Sequence, residues 1–253
     1  MYTNLTNYFR FIYIYIMYTI IYPLMYIPFA IINRIKNKPS TYSHTITQKC
    51  MDYFNCKKDY LTDNNIIDSG FILSNHRCSF DFMFDPYIGK SAVIARYKAI
   101  LCTFFLSLLG IIERRVIPMQ KSFNRNYIFD STKYLFEYRY PDEDNTFNKR
   151  VTFFPEGTRS NYTKIEKLDD TQKILKPGLL KSIYEYNKKP VQIIITKNKE
   201  KVYNEFTIDI NFGVTLSVYI SKEIYPSEFN SYEEFYNHIC TQWFNIFNEV
   251  YHE

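Results

Sequence analysis

Two short apolar runs, each stopped by a polar turn, constrain this chain more than any other feature. Phe71-Ile72-Leu73 has the length and the aromatic and β-branched content of a buried strand. The polar pair Ser74-Asn75 breaks it and can cap a helix starting just after. Val151-Thr152-Phe153-Phe154 reads as a second buried strand and runs directly into Pro155-Glu156-Gly157-Thr158-Arg159-Ser160. Pro155 forces Phe154 out of the helical region, and Gly157 permits a sharp backbone turn. Glu156, Thr158 and Arg159 are thereby presented at the carboxyl end of a strand, where open α/β sheets bind ligands.

His76 and Asp81 follow the first run, five residues apart. On a regular helix that spacing is about 140° of rotation, so the two would not share a face. With His76 in the turn and Asp81 in the first helical turn, the carboxylate reaches one ring nitrogen and the other stays free to accept. That is a general base held in one tautomer, without a nucleophilic Ser or Cys of its own. A loop histidine beside a helix-capping aspartate has the same spacing, so the pair alone does not decide. Cys78, inside the same stretch, reads as a small packing residue; a thiol nucleophile would need a depressed pKa and a base beside it.

The two stretches together decide more. NHRCSFD (75–81) and FFPEGTRS (153–160) resemble the first and third signature blocks of the glycerolipid acyltransferases, the lysophosphatidic acid acyltransferase family. The resemblance extends over roughly residues 70–196, about half the chain. It implies a single α/β domain with a central mixed, largely parallel sheet flanked by helices, like that of the glycerol-3-phosphate acyltransferases. Gly110-Ile111-Ile112-Glu113-Arg114-Arg115 resembles a shortened second block, an apolar strand opened by Gly and closed by Arg, with one residue fewer than the family has. Arg114 or Arg115 would then be functional, with Arg115 nearer the family spacing. Lys176-Pro177-Gly178 resembles the K-x-G step into a helix. Pro190 to Ile195 reads as a third central strand in the place of the fourth block, but lacks its second proline, so acyl-chain preference does not carry over.

The implied reaction moves a fatty acyl group from acyl-coenzyme A, as co-substrate, to the free hydroxyl of a lysophospholipid. The leading acceptor is 1-acyl-sn-glycerol-3-phosphate, giving phosphatidic acid. His76 acts as base and Asp81 orients it. Asn75, or backbone N–H groups after it, stabilises the oxyanion. Arg115 and Arg159 are the phosphate-binding candidates by charge. Glu156 accepts from a glycerol hydroxyl or braces the arginines, and Gly157 and Thr158 complete the turn. No metal or redox cofactor is implied. A lysocardiolipin- or lysophosphatidylinositol-type acyltransferase is an alternative, because Asn75-His76-Arg77 and Asp81-Phe82-Met83-Phe84 look like that branch. A coenzyme-A-independent transacylase and a catalytically silent membrane-binding protein are the others.

The remaining sequence sets the surroundings. A chain of 253 residues can bury a real core as one domain. A net charge of +5 is too mild for a nucleic-acid partner yet suits an anionic lipid surface. The 25 Tyr and 22 Phe fit membrane-interface belts or an AT-rich coding genome. Five cysteines without a C-x-x-C pair point to a reduced, cytosol-facing location, and four scattered histidines give no zinc site. No protein partner is expected; membrane lipids are.

Phe11 to Ala30 is twenty residues without a charge, flanked by Arg10 and by Arg34, Lys36 and Lys38. Residues 1–39 therefore read as a membrane anchor, one tilted and kinked span or a helix pair lying in one leaflet, with an acyltransferase domain at 40–253 on the cytosolic side. Residues 40–69 read as a connecting segment with one or two helices. Ala99 to Ile112 is a core helix or a face that dips into the bilayer. Residues 124–139 read as an amphipathic helix, 141–150 as a surface loop and 201–220 as edge strands. Ser231-Tyr232-Glu233-Glu234 is a capping box opening a helix with an apolar stripe from Phe235 to Val250.

Overall fold

The computed structural model describes residues 2–119, 130, 132, 136, 149–157, 175–204 and 207–252. Among them seven strands form one sheet: β1 (Lys57–Tyr60), β2 (Gly70–Ser74), β3 (Ala92–Arg96), β4 (Val116–Met119), β5 (Arg150–Phe153), β6 (Val191–Lys197) and β9 (Thr215–Ile220). Their order is β1-β9-β6-β2-β5-β3-β4. Every neighbouring pair is parallel except β6 with β9, so the sheet is mixed and largely parallel, as expected. The central strands β2, β5 and nearly all of β6 are buried, the pattern of a parallel sheet covered on both faces.

Successive strand side chains point to opposite faces. Ile72 accordingly joins one core, and Phe71 and Leu73 join the other. The first core is closed by α3 (Tyr42–Tyr53), α4 (Asp81–Gly89) and α6 (Phe104–Ile112). The second is closed by α7 (Pro177–Ser182) and the long α9 (Tyr232–His252). Ser231 caps the helix: its Oγ accepts the Glu234 N–H at 3.1 Å, and the Glu234 carboxylate reaches back one residue further than a capping box, to the Asn230 N–H at 2.9 Å. Phe235, Ile239, Trp243, Ile246 and Val250 are all buried.

The amino-terminal stretch is one continuous helix, α1 (Tyr2–Ile16), a π turn (Met17–Ile21) and α2 (Tyr22–Ile35). Pro23 has no N–H to give Thr19, and the helix widens there so that Tyr22 N–H reaches Met17 O. Leu5–Ile35 is long and apolar enough to cross a membrane. Yet one face lies along the α/β body: Phe11 stacks on Tyr203 at 5.5 Å, Tyr26 on Tyr42 at 4.9 Å, and Arg34 donates to Ile112 O at 2.7 Å.

Several expectations need correction. Residues 40–69 hold an edge strand, β1, besides α3. Ala99 to Ile112 is not one helix but α5 (Tyr97–Cys102) and α6, interrupted at Thr103. Gly110 does not open a strand. It lies in α6, where an added Cβ would come 2.5 Å from Val116 Cγ2, so its smallness lets the helix approach β4. In 201–220, α8 (Lys199–Val202) leads into a small ladder of β7 (Tyr203–Asn204) and β8 (Asp209–Ile210), and β9 sits inside the sheet rather than at its edge. The expected helix at 124–139 and loop at 141–150 lie almost wholly outside the described residues.

Candidate active site

Because β2, β3 and β5 are parallel, the residues that leave their carboxyl ends gather at one edge of the sheet. β2 delivers His76, β5 delivers Glu156 and Gly157, and β3 ends at Arg96. Asp81 is the first residue of α4, where a helix amino terminus favours a carboxylate. His76 Nδ1 lies 2.8 Å from Asp81 Oδ2. The same oxygen accepts the backbone N–H groups of Arg77 and, at 3.1 Å, Cys78. Asp81 is fully buried, while the His76 side chain is 24% exposed. With Nδ1 bound to the carboxylate, Nε2 is the nitrogen left for a proton. The imidazole is further fixed by stacking on Phe154, 4.5 Å between ring centroids.

Beneath this pair lies a buried charge cluster that the sequence did not reveal. Lys199, on the first turn of α8, is fully buried, with Nζ 3.5 Å from Asp81 Oδ1 and 3.1 Å from Asp85 Oδ2. It also donates to Asn75 O, and Ser74 Oγ donates to Asp85 at 2.6 Å. Burial pushes the Asp81 carboxyl upward, but Lys199, His76 and the Arg77 N–H outweigh it and hold the group below the usual range. Burial and the neighbouring Asp81 raise Asp85 to about 6 against the pull of Lys199. Burial lowers Lys199, and the two carboxylates more than restore it. A signal for half of this was available: Asp81 and Asp85 are four apart and share a helix face. Nothing local announces the lysine between them.

The remaining expected residues divide. Asn75 is buried and does not offer its carboxamide to a ligand. Its Oδ1 accepts from Thr196 N–H at 2.9 Å, and its Nδ2 donates to Thr196 O at 3.0 Å and Tyr251 Oη at 3.2 Å. It ties the turn to β6. Glu156 is buried beside the turn. Gly157 has φ +75°, the left-handed region that favours glycine. A Cβ there would meet Lys176 Cγ at 2.9 Å and Arg96 Nη2 at 3.4 Å, so two exposed cations lie against this turn. Thr158 and Arg159 fall outside the described residues. Cys78 is buried, and burial with Asp81 beside it pushes the thiol well up, so it is no nucleophile.

Arg115 is the clear correction. The strand of this region follows Arg115 instead of ending at it: Arg115 O accepts from Val93 N–H at 2.7 Å, and Val116 pairs with Val93. Since β4 is parallel to β3, Arg115 stands at the amino end of the sheet, opposite His76. Its guanidinium is buried and donates to Ser40 O at 3.4 Å. Arg96, which the sequence did not single out, is an exposed arginine at the carboxyl end of β3.

No family model matches the chain, and no curated protein matches it by sequence. Among solved structures it is similar to the 1-acyl-sn-glycerophosphate (LPA) acyltransferase PlsC from Thermotoga maritima. The TM-score is 0.63 at 14% identity, covering 96% of this chain and 97% of that one. In architecture, from the amino-terminal helix to α9, the chain shares the fold of that acyltransferase.

Proposed function

We propose that the protein is an O-acyltransferase that moves a fatty acyl group from acyl-coenzyme A to the hydroxyl of 1-acyl-sn-glycerol-3-phosphate. The observation that carries this reading is the His76–Asp81 pair at a strand end, stacked on the residue that leads into Glu156-Gly157. His76 Nε2 takes the hydroxyl proton as the oxygen attacks the thioester carbonyl. The imidazolium, stabilised by ionised Asp81, then returns that proton to the departing thiolate. The products are the new ester and free coenzyme A thiol, with no acyl-enzyme between. Since the Asn75 amide is engaged with Thr196, the oxyanion falls to backbone N–H groups. Arg96, Lys176 and Arg159 are the cations for phosphate groups, and Glu156 orients the acceptor.

On the same reading the protein works at a membrane. The face of the amino-terminal helix turned away from the body exposes Phe9, Leu24, Met25, Phe29 and Ile35, and α5–α6 add Leu101 and Phe104. A helix bound to the body from Phe11 to Arg34, about 35 Å at 1.5 Å per residue, keeps those contacts by lying in one leaflet rather than crossing it. The basic residues after it favour the cytosolic face.

Purified full-length protein in mixed micelles, offered labelled acyl-coenzyme A and a panel of lysophospholipids, tests the function. Labelled phosphatidic acid is expected, abolished in His76→Ala with the fold intact. Absence of transfer to every acceptor, or an active His76→Ala, overturns it.

A further inference from the structure

Asp81 and Asp85 are two carboxylates buried on one face of α4, and among the described residues one ammonium touches both. Lys199 comes to them from the chain after β6, on the same face of the sheet as α4. β6 ends at Lys197, Asn198 adopts a left-handed backbone conformation (φ 73°) that turns the chain, and α8 begins with the lysine aimed under the His76 turn. Such a lysine gives up its hydration and its side-chain freedom. Stability alone does not account for the cluster, because well-packed apolar residues in place of all three charged groups are often as stable or more so. The short contacts of Lys199 go to the carbonyl of Asn75, the residue before the histidine, and to Asp85 at 3.1 Å, and at 3.5 Å it faces the Asp81 oxygen turned away from His76.

We propose, resting on the acyltransferase function, that Lys199 is a positioning residue for the dyad: its ammonium supplies the counter-charge that lets Asp81 face His76 as a carboxylate where water cannot reach it. The groups around Asp81 are His76 and Cys78 from its own turn, Asp85 from α4, Lys199 from α8 and the Tyr251 hydroxyl of α9. Among the described residues Lys199 is the ammonium at the Asp81 carboxylate; the guanidinium of Arg77, whose backbone N–H binds Asp81, turns instead to the Tyr251 ring at 4.8 Å and to Glu200 at 3.5 Å. Removing Lys199 leaves burial opposed by hydrogen bonds and by His76 when that ring is protonated, and burial then raises the carboxyl toward neutrality. A protonated Asp81 neither stabilises the imidazolium nor increases the basicity of Nε2.

The test compares full-length Asp85→Asn with Lys199→Met/Asp85→Asn. In the double variant the one remaining buried carboxyl takes up a proton, so no unpaired charge is left in the core and the protein is expected to fold. At pH 7 its kcat is expected to fall at least about 10-fold below that of Asp85→Asn, within the roughly 10⁴-fold limit set by loss of the aspartate in such a triad. The Michaelis constants stay together, and the gap in kcat closes as the pH is raised and Asp81 ionises. Infrared spectra with labelled aspartate give a readout that needs no turnover. A protonated carboxyl band is expected at pH 7 in the double variant, absent from Asp85→Asn and lost on adding Asp81→Asn. If no variant or wild type transfers acyl groups but the band appears, the acyltransferase reading fails and the role of Lys199 stands. Equal kcat in the two variants with no carboxyl band overturns the proposal. So does a double variant that cannot fold, since Lys199 would then serve the fold and not the dyad.

Discussion

The imidazole of His76 lies on the ring of Phe154 with 22° between their planes. One residue belongs to the turn after β2 and the other to the end of β5, so the two signature stretches meet ring on ring. The contact restrains the tilt of the imidazole, while Asp81 restrains its rotation. Phe154→Ala removes an aromatic contact worth about 0.5–1.5 kcal/mol, and is expected to lower kcat by roughly 2- to 10-fold with little change in either Michaelis constant. An increase confined to the Michaelis constant for acyl-coenzyme A would show instead that Phe154 contacts the donor.

Arg96 stands at the ligand end of the sheet, where the sequence suggests Arg115, and Arg115 lies at the other end. A charge-assisted contact is worth about 1.5–3 kcal/mol, and Arg96 is exposed, so the lower end applies. Arg96→Ala should raise the Michaelis constant of a phosphate-bearing substrate about 10-fold, and saturation curves for donor and acceptor identify which one. Arg115→Ala, at the opposite end of the sheet, should lower the unfolding temperature and leave both constants in place. A selective loss of acceptor affinity in Arg115→Ala would contradict the pairing of Val116 with Val93 that sets the register of β4 on β3.

Membrane binding is assigned to the outer face of the amino-terminal helix. Burying a large apolar side chain contributes about 1.5–3 kcal/mol. Leu24→Asp with Phe29→Asp is therefore expected to reduce partition onto anionic vesicles at least about 10-fold. Both residues are exposed, so circular dichroism should be unchanged. Undiminished vesicle binding would move the contact to Leu101 and Phe104.

Asp85, held near 6 by burial, gives a pH signature. Unfolded, its carboxyl titrates near 3.9, so between about pH 4 and 6 the folded protein holds a proton that the unfolded chain does not. The stability this contributes is full below pH 4 and is lost as the pH rises through 6. Asparagine stays neutral throughout. The unfolding temperature of Asp85→Asn relative to wild type should therefore climb from pH 4 to pH 7. His44, pushed down to about 4 by burial and by Arg115, Lys90 and Lys58, titrates oppositely in the same window but is common to both proteins and cancels. A difference that does not vary with pH would mean that Asp85 is ionised throughout.

What the sequence determined by itself is local. An apolar run of strand length ends at Ser74-Asn75, a proline and a glycine turn the chain after Phe154, and five residues separate His76 from Asp81. Each of these acts through neighbours a few positions away, and each stands in the structure where the pattern puts it. The cap at Ser231 and the stripe from Phe235 to Val250 are legible for the same reason. Tertiary structure decided which charges share a site. Whether an arginine beside a strand is at its ligand end or its far end depends on where the strand begins; a shift of the boundary to Val116 carries Arg115 across the sheet and leaves Arg96 at the turn. Asn75 has the chemistry of an oxyanion donor until Thr196, 121 residues later, takes its amide. Lys199 looks like any surface lysine until the sheet brings it 114 residues back, under Asp85. Burial and partnership at that range come from the packing of the sheet and its helices, and no window of sequence contains them.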